Sequence, residues 1–180
     1  MYQPRLVSTR YGLETSSYIW TRERWLYLAV ILDLHSRRVI VWAVSNRMKR
    51  DLEIRALDIA VALRQPSKGY IHHTDRGSQY CSKEYQRRLP KYGCKVSPLM
   101  VCKQTTVGQR MSGKGNCYDH SMVERFFKSI KAELIWRNRW DTRRQAEGAI
   151  FQYINGFYNP RRRHSSLGGK SSLAFERKAA

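Results

Sequence analysis

Acidic residues are scarce in this chain. Its 180 residues hold 14 Asp and Glu against 34 Lys and Arg, a formal net charge of +20. So large an imbalance points to a polyanionic partner, with nucleic acid leading, because clustered cations that neutralise phosphates release counterions. A ribosome-like or merely soluble basic protein is the plain alternative. Cysteine is also sparse. Cys81, Cys94, Cys102 and Cys117 form no C-x-x-C pair and no zinc spacing, which excludes a zinc ribbon or a disulfide scaffold. They read as reduced thiols in a reducing compartment. Long apolar runs are missing: the longest, Leu26 to Leu32, is far too short to cross a bilayer, and the N-terminus has no apolar signal core. No internal repeat or low-complexity segment occurs. A hydrophobic content of 42% is ample for a core, so one domain, with a short tail, is expected.

The pattern sharpens from Trp25. Residues 1 to 17 are polar and weakly patterned. Trp25 to Leu34 reads as a strongly apolar strand, His35 to Arg38 as a turn, and Val39 to Val44 as the second arm of an antiparallel hairpin. Asp51 to Gln65 has helical spacing and ends at Pro66 and Gly69. Tyr70 to Thr74 is a further strand, Ser82 to Leu89 a short helix closed by Pro90 and Gly93, and Lys95 to Ser97 a brief strand. Pro98 to Arg110 has no period. A helix begins at Asn116 or Asp119 and sends Met122, Val123, Phe126, Phe127 and Ile130 to a core. Thr142 to Gln145 fits a capping box, with a helix behind it to about Tyr158. A hairpin, alternating helices and strands, then helices give an α/β fold with a mixed sheet flanked by helices.

Two acids carry the chemical interest. Asp75, in His73-Thr74-Asp75-Arg76-Gly77, stands at a strand end, where α/β sheets place ligands. Glu124 lies on the later helix between Val123 and Phe126. Together they can hold Mg²⁺, whose other ligands are water and substrate phosphate. The alternative for Glu124 is a surface i,i+4 pair with Lys128, worth about 0.2–0.5 kcal/mol. His73 shares the strand-face parity of Asp75 and either orients it or serves as a buried structural histidine. Lys128 and Lys131 either grip DNA backbone or form a solvated face. Arg161, Arg162 and Arg163 read as a phosphate-contacting segment or a disordered basic tail.

These residues resemble the catalytic subunit of bacterial insertion-sequence transposases of family three, the retroviral-integrase-like group. The matching text runs in order. It begins with Tyr18 to Glu23 and Trp25 to Arg37, and continues with His73 to Tyr80 and Gly115 to Asp119 leading to Glu124. It ends with Tyr153 to Asn159 and Arg163 to Leu167. The resemblance implies a ribonuclease-H-like fold, an integrase-type core over residues 18–160 between an atypical segment 1–17 and a basic tail 161–180, and DNA strand cleavage and transfer with Mg²⁺ or Mn²⁺. Asp75 matches the second acid of an Asp, Asp, Glu triad, Glu124 the third, and Lys131 the basic residue seven positions on. It further implies, as partners, element terminal repeats, target DNA, a separately encoded helix-turn-helix subunit and further copies of the chain, with no membrane and a cytoplasmic, nucleoid-associated location.

Two departures qualify that expectation. The family's first acid matches Thr15. Glu14 is adjacent, but neighbours on a strand face opposite sides, so Glu14 does not simply substitute. Weak metal binding and impaired cleavage follow, or a remnant that only binds DNA or regulates an active copy. Forty-eight residues separate Asp75 from Glu124, 13 more than the resemblance implies, and Pro98 to Arg110 is a stretch of 13 whose removal restores the family text. It reads as an insertion before the catalytic helix.

Overall fold

The structure, a computed structural model, describes residues 10–47, 50–65, 71–74, 83–93, 95–96 and 117–179. Asp75 and Pro98 to Arg110 lie outside the described residues. Five strands form one sheet: β1 (Arg10–Trp20), β2 (Trp25–Asp33), β3 (Val39–Ser45), β4 (Ile71–Thr74) and β5 (Lys95–Val96). Their order is β3-β2-β1-β4-β5. β1 to β3 are joined by tight turns and pair antiparallel, while β4 lies parallel to β1 and β5 parallel to β4. The change of sense follows from the connections: α1 (Arg50–Arg64) leads from β3 to β4 and α2 (Lys83–Lys91) from β4 to β5. The expected β2–β3 hairpin and mixed sheet are present. Arg10 to Ser17 joins the central strand β1, although its own sequence has no clear alternation. Pro90 sits inside the last turn of α2 rather than after it.

Alternation along β2 divides the core. Leu26, Leu28, Val30 and Leu32 belong to one cluster with α3 (Cys117–Ile130) and α4 (Arg143–Phe151), whereas Ile31 joins Val41, Ile54, Leu57 and Leu89 on the α1 side. Both helices of the first layer continue as wider π-helical turns, Lys131–Ile135 after α3 and Gln152–Tyr158 after α4. Thr142 caps α4, its hydroxyl accepting from Gln145 N at 3.1 Å, but the return bond of the expected capping box shifts by one residue, Gln145 Oε1 accepting from Asp141 N at 3.0 Å.

β1 contains a bulge. Glu14 is opposite Val30 and Ser17 is opposite Leu28, so three steps on β1 match two on β2. Opposed residues share a sheet face, and Leu28 and Val30 both face α3. Positions 14 and 17 therefore share that face. The expectation that Glu14 stands on the face opposite the family acid assumed unbroken alternation, and the inserted residue removes that assumption.

Residues 161 to 179, expected as a basic tail, fold back onto the sheet and end in α5 (Ser172–Ala179). Glu176 accepts from Ser36 Oγ at 2.8 Å, from Arg38 at 2.6 Å and from Arg64. Burial works against its charge, but these bonds, Arg64 foremost, hold its carboxyl below the usual range. Buried Asn159 bridges both backbone groups of Val39 at 3.0 Å.

Candidate active site

The buried stripe of α3, Val123, Phe126, Phe127 and Ile130, packs onto the sheet and places the helix against β1. Glu124 borders this stripe and is exposed. The surface pair with Lys128 does not form. Six other acids each face an arginine: Glu23 with Arg143, Asp33 with Arg64, Asp58 with Arg88, Glu133 with Arg162, Asp141 with Arg22 and Glu176 with Arg38 and Arg64. Glu124 has no hydrogen-bond or ion-pair partner among the described residues. Exposed Glu147 on α4 likewise has none, so among the acids whose side chains are described Glu124 is the one on α3 that stays open to another positive partner.

β4 runs parallel to β1 beside this layer. Gly12 is opposite both Leu32 and His73, so position 73 lies on the α3 face of the sheet. The described part of β4 ends at Thr74, beside Leu13. The next β1 residue is Glu14, and the next residue after Thr74 is Asp75. Among the described residues no three His, Cys, Asp or Glu side chains converge as a metal cluster. The one described donor, Glu124, is a hard oxygen ligand of the kind that Mg²⁺ and Mn²⁺ take, and its freedom from arginine fits a cation.

The expected DNA contacts divide into two grooves. Lys128, Arg162 and Arg163 line a cleft of about 310 Å³ with Arg125, Phe126 and His164. Within it Arg162 bonds Glu133 and, at 3.0 Å, Ser129 Oγ, and lies 5.8 Å from the Tyr158 ring centre, so its charge is spent on the fold. Burial, then Arg162 and Arg37, pushes His164 down to about 4, leaving it neutral. Tyr153 donates to Glu133 at 2.6 Å, and burial, then this bond, pushes its phenol well up. Arg161 is exposed and lines neither groove.

Lys131 lies elsewhere, in a groove of about 590 Å³ with Tyr18, Trp20, Trp25 and Trp136. The sequence reading missed these aromatics as a group. The available signal was the alternation of Tyr18 and Trp20 with Ser17, Ile19 and Thr21, which gives the rings a face of their own.

Comparison with known proteins gives a consistent picture. Two family models, both described as "Integrase core domain", match residues 15–103 and 124–179. The chain is 43% identical over 162 residues to "Transposase InsF for insertion sequence IS3A" of Escherichia coli (strain K12), covering 90% of this chain and 52% of the relative. It is 40% identical over 162 residues to the "Insertion element IS600 uncharacterized 31 kDa protein" of Shigella sonnei, covering 90% and 55%. The chain thus spans about half the length of the curated relatives it matches. Among solved structures, the magnesium complex of the HTLV-2 integrase catalytic core domain in its trimeric form aligns at a TM-score of 0.62 and 17% identity, over 96% of this chain and 98% of that one. A simian T-cell lymphotropic virus intasome complex aligns at 0.64 and 16% identity, over 95% and 55%. At that identity the likeness concerns the ribonuclease-H-like fold, which the strand order shares.

Proposed function

The chain belongs to the integrase core family of insertion-sequence transposases, and from that premise we propose that it cleaves and joins DNA strands at the ends of a mobile element. The observation that carries this reading is Glu124: an exposed acid with no arginine partner among the described residues, on a helix packed against β1, the strand that pairs parallel with β4. Asp75 and Glu124 are the proposed metal ligands, with His73 as a positioning residue. Glu14, put on the α3 face by the bulge, is the proposed third oxygen donor in place of an acid at position 15. Mg²⁺ or Mn²⁺ held there supplies Lewis-acid stabilisation of the attacking and leaving oxygens. The reaction is an in-line displacement at a DNA phosphodiester by water or a 3′-hydroxyl. Lys131, exposed Arg161 and the basic cleft of Lys128 and Arg163 hold the backbone, a positioning role without sequence information. Terminal repeats, target DNA, a helix-turn-helix subunit and further copies of the chain are the proposed partners, and the bacterial cytoplasm the place of action.

The test is Mg²⁺-dependent cleavage of terminal-repeat DNA. Cutting is expected to stop with Asp75→Asn or Glu124→Gln and to speed up with Thr15→Asp, since the acid then stands at the family position. Robust cutting that survives both losses would show that the acids are misassigned.

Thr15 favours a second reading, a remnant that binds DNA or regulates an active copy. It predicts affinity that falls steeply with salt, without nicking at any Mg²⁺ or Mn²⁺ concentration.

A further inference from the structure

The groove beside Lys131 has no role in the reaction as described. Its walls are aromatic and bare. Tyr18 and Trp20 project from β1, Trp25 from the start of β2, and Trp136 follows the π-helical turn after α3; Trp136 is 73% exposed and Trp20 57%. Trp25 organises the group, with ring centres 5.3 Å from Tyr18 and 4.8 Å from Trp20, both edge-on. The groove is also braced. Arg22 N donates to Trp140 O at 2.9 Å, tying the β1–β2 turn to the segment beyond α3, and buried Trp140 adjoins the rings. Tyr18, Trp20 and Trp25 thus brace one another without being covered, and Trp136 stands exposed beside them.

The charge around the rings indicates the occupant. Lys131 and Arg139 line the groove together with Arg22, which pairs with Asp141 at 3.1 Å, and among the described residues no acid lines it. A second copy packed here about a two-fold axis would bring these cations against their own counterparts, which is unfavourable. Aromatic faces among cations suit nucleobases, whose π-faces stack on the rings while the phosphates meet the cations. The location agrees. Lys131 lies seven residues after Glu124 on the same helical rod, roughly 10 Å along its axis.

We propose that Tyr18, Trp20, Trp25 and Trp136 form a stacking platform for unpaired bases of a DNA strand that enters or leaves the cleavage site. This inference rests on the proposed cleavage site at Glu124. The platform makes the chain prefer a frayed or single-stranded end over a closed duplex, independent of sequence.

The test uses the full chain and two labelled DNAs of equal length, one blunt and one with four unpaired 3′ nucleotides, followed by fluorescence anisotropy. Wild type binds the frayed DNA more tightly. Trp20→Ala and Trp136→Ala each weaken that binding about tenfold, within the range expected for one lost base–ring stack, and change blunt-duplex affinity less than twofold. Trp136→Phe keeps the preference, and thermal melts confirm that the variants fold. Equal losses on both DNAs, or a wild type without preference, overturn the platform. So does a Trp136→Ala variant that alters sedimentation while the preference persists, since the face is then a protein interface. Glu124→Gln retains the preference, so wild type that prefers frayed DNA but never cuts would refute the cleavage reading and leave the platform standing.

Discussion

Glu124 and Glu133 sit on one helical rod, on either side of the point where α3 widens into its π-helical turn, and they meet opposite surroundings. Glu133 accepts from the Tyr153 hydroxyl and pairs with Arg162, which also reaches Ser129. Glu124 is exposed beside the sheet with no described partner. Both are helical glutamates in a chain of +20. What separates them is what the fold lays across from each: the π-helical turn after α4 and the Arg161–Arg163 turn in one case, open solvent on a helix packed against the central strand β1 in the other. An acid closed off by an arginine and a phenol holds structure together, and an exposed acid with no described partner is the candidate for chemistry.

The strongest way to break this comparison is to neutralise Glu124. Glu124→Gln is expected to lower cleavage about a thousandfold, as loss of a preorganised electrostatic group does, with a melting midpoint unchanged in calorimetry. A large fall in the midpoint would make Glu124 structural after all. Glu133→Ala is expected to do the reverse. It leaves the Tyr153 hydroxyl and Arg162 without their acceptor and costs about 2 kcal/mol of stability, or roughly 4–8 °C in the melting midpoint. Cleavage assayed well below that midpoint changes little.

Glu14→Gln sharpens the contrast on β1. Manganese affinity measured by titration calorimetry should fall about tenfold, as for loss of a supporting metal contact, with folding unaffected. Unaltered affinity would remove Glu14 from the site and leave position 15 as the defect. The smallest effect concerns pH. His164 is neutral in the fold, with its pKa down at about 4 from an ordinary 6.5. As pH drops below 6.5 the unfolded chain takes up the proton first, so this contribution to stability is whole above 6.5 and is lost as pH falls toward 4. Denaturant titrations at pH 7 and pH 5 should show a larger loss for wild type than for His164→Asn. Equal losses would assign the slope to other groups, Glu176 among them.

The elements with strong patterns were legible from the chain alone. β2 and β3 announced themselves by apolar β-branched runs, α1 by its spacing, and α4 by the Thr142 cap, because these depend on short-range preferences. Glu124 was legible as a site candidate through its place between Val123 and Phe126. The bulge in β1 was not, since an inserted residue is defined only by the register of the partner strand. The role of Arg162 was hidden for a similar reason: in sequence it is one of three arginines in a row, and only the return of that turn onto α3 distinguishes it. The exposed aromatics were overlooked because tryptophan in an apolar context reads as core until a neighbour fails to cover it.

The amino-acid sequence by itself determined the strongly basic charge, the β2–β3 hairpin, the strongly patterned strands and helices after it, and the family text, and it nominated the two acids. Tertiary structure alone decided which acids are neutralised by arginine, that Glu14 shares a sheet face with Ser17, and that four aromatic rings stand uncovered beside Lys131. The division has one physical cause. Charge, turn and periodicity act over a few neighbouring residues. The partner of a side chain is set by packing between segments that the chain holds far apart, as Ser36 and Glu176 show with 140 positions between them.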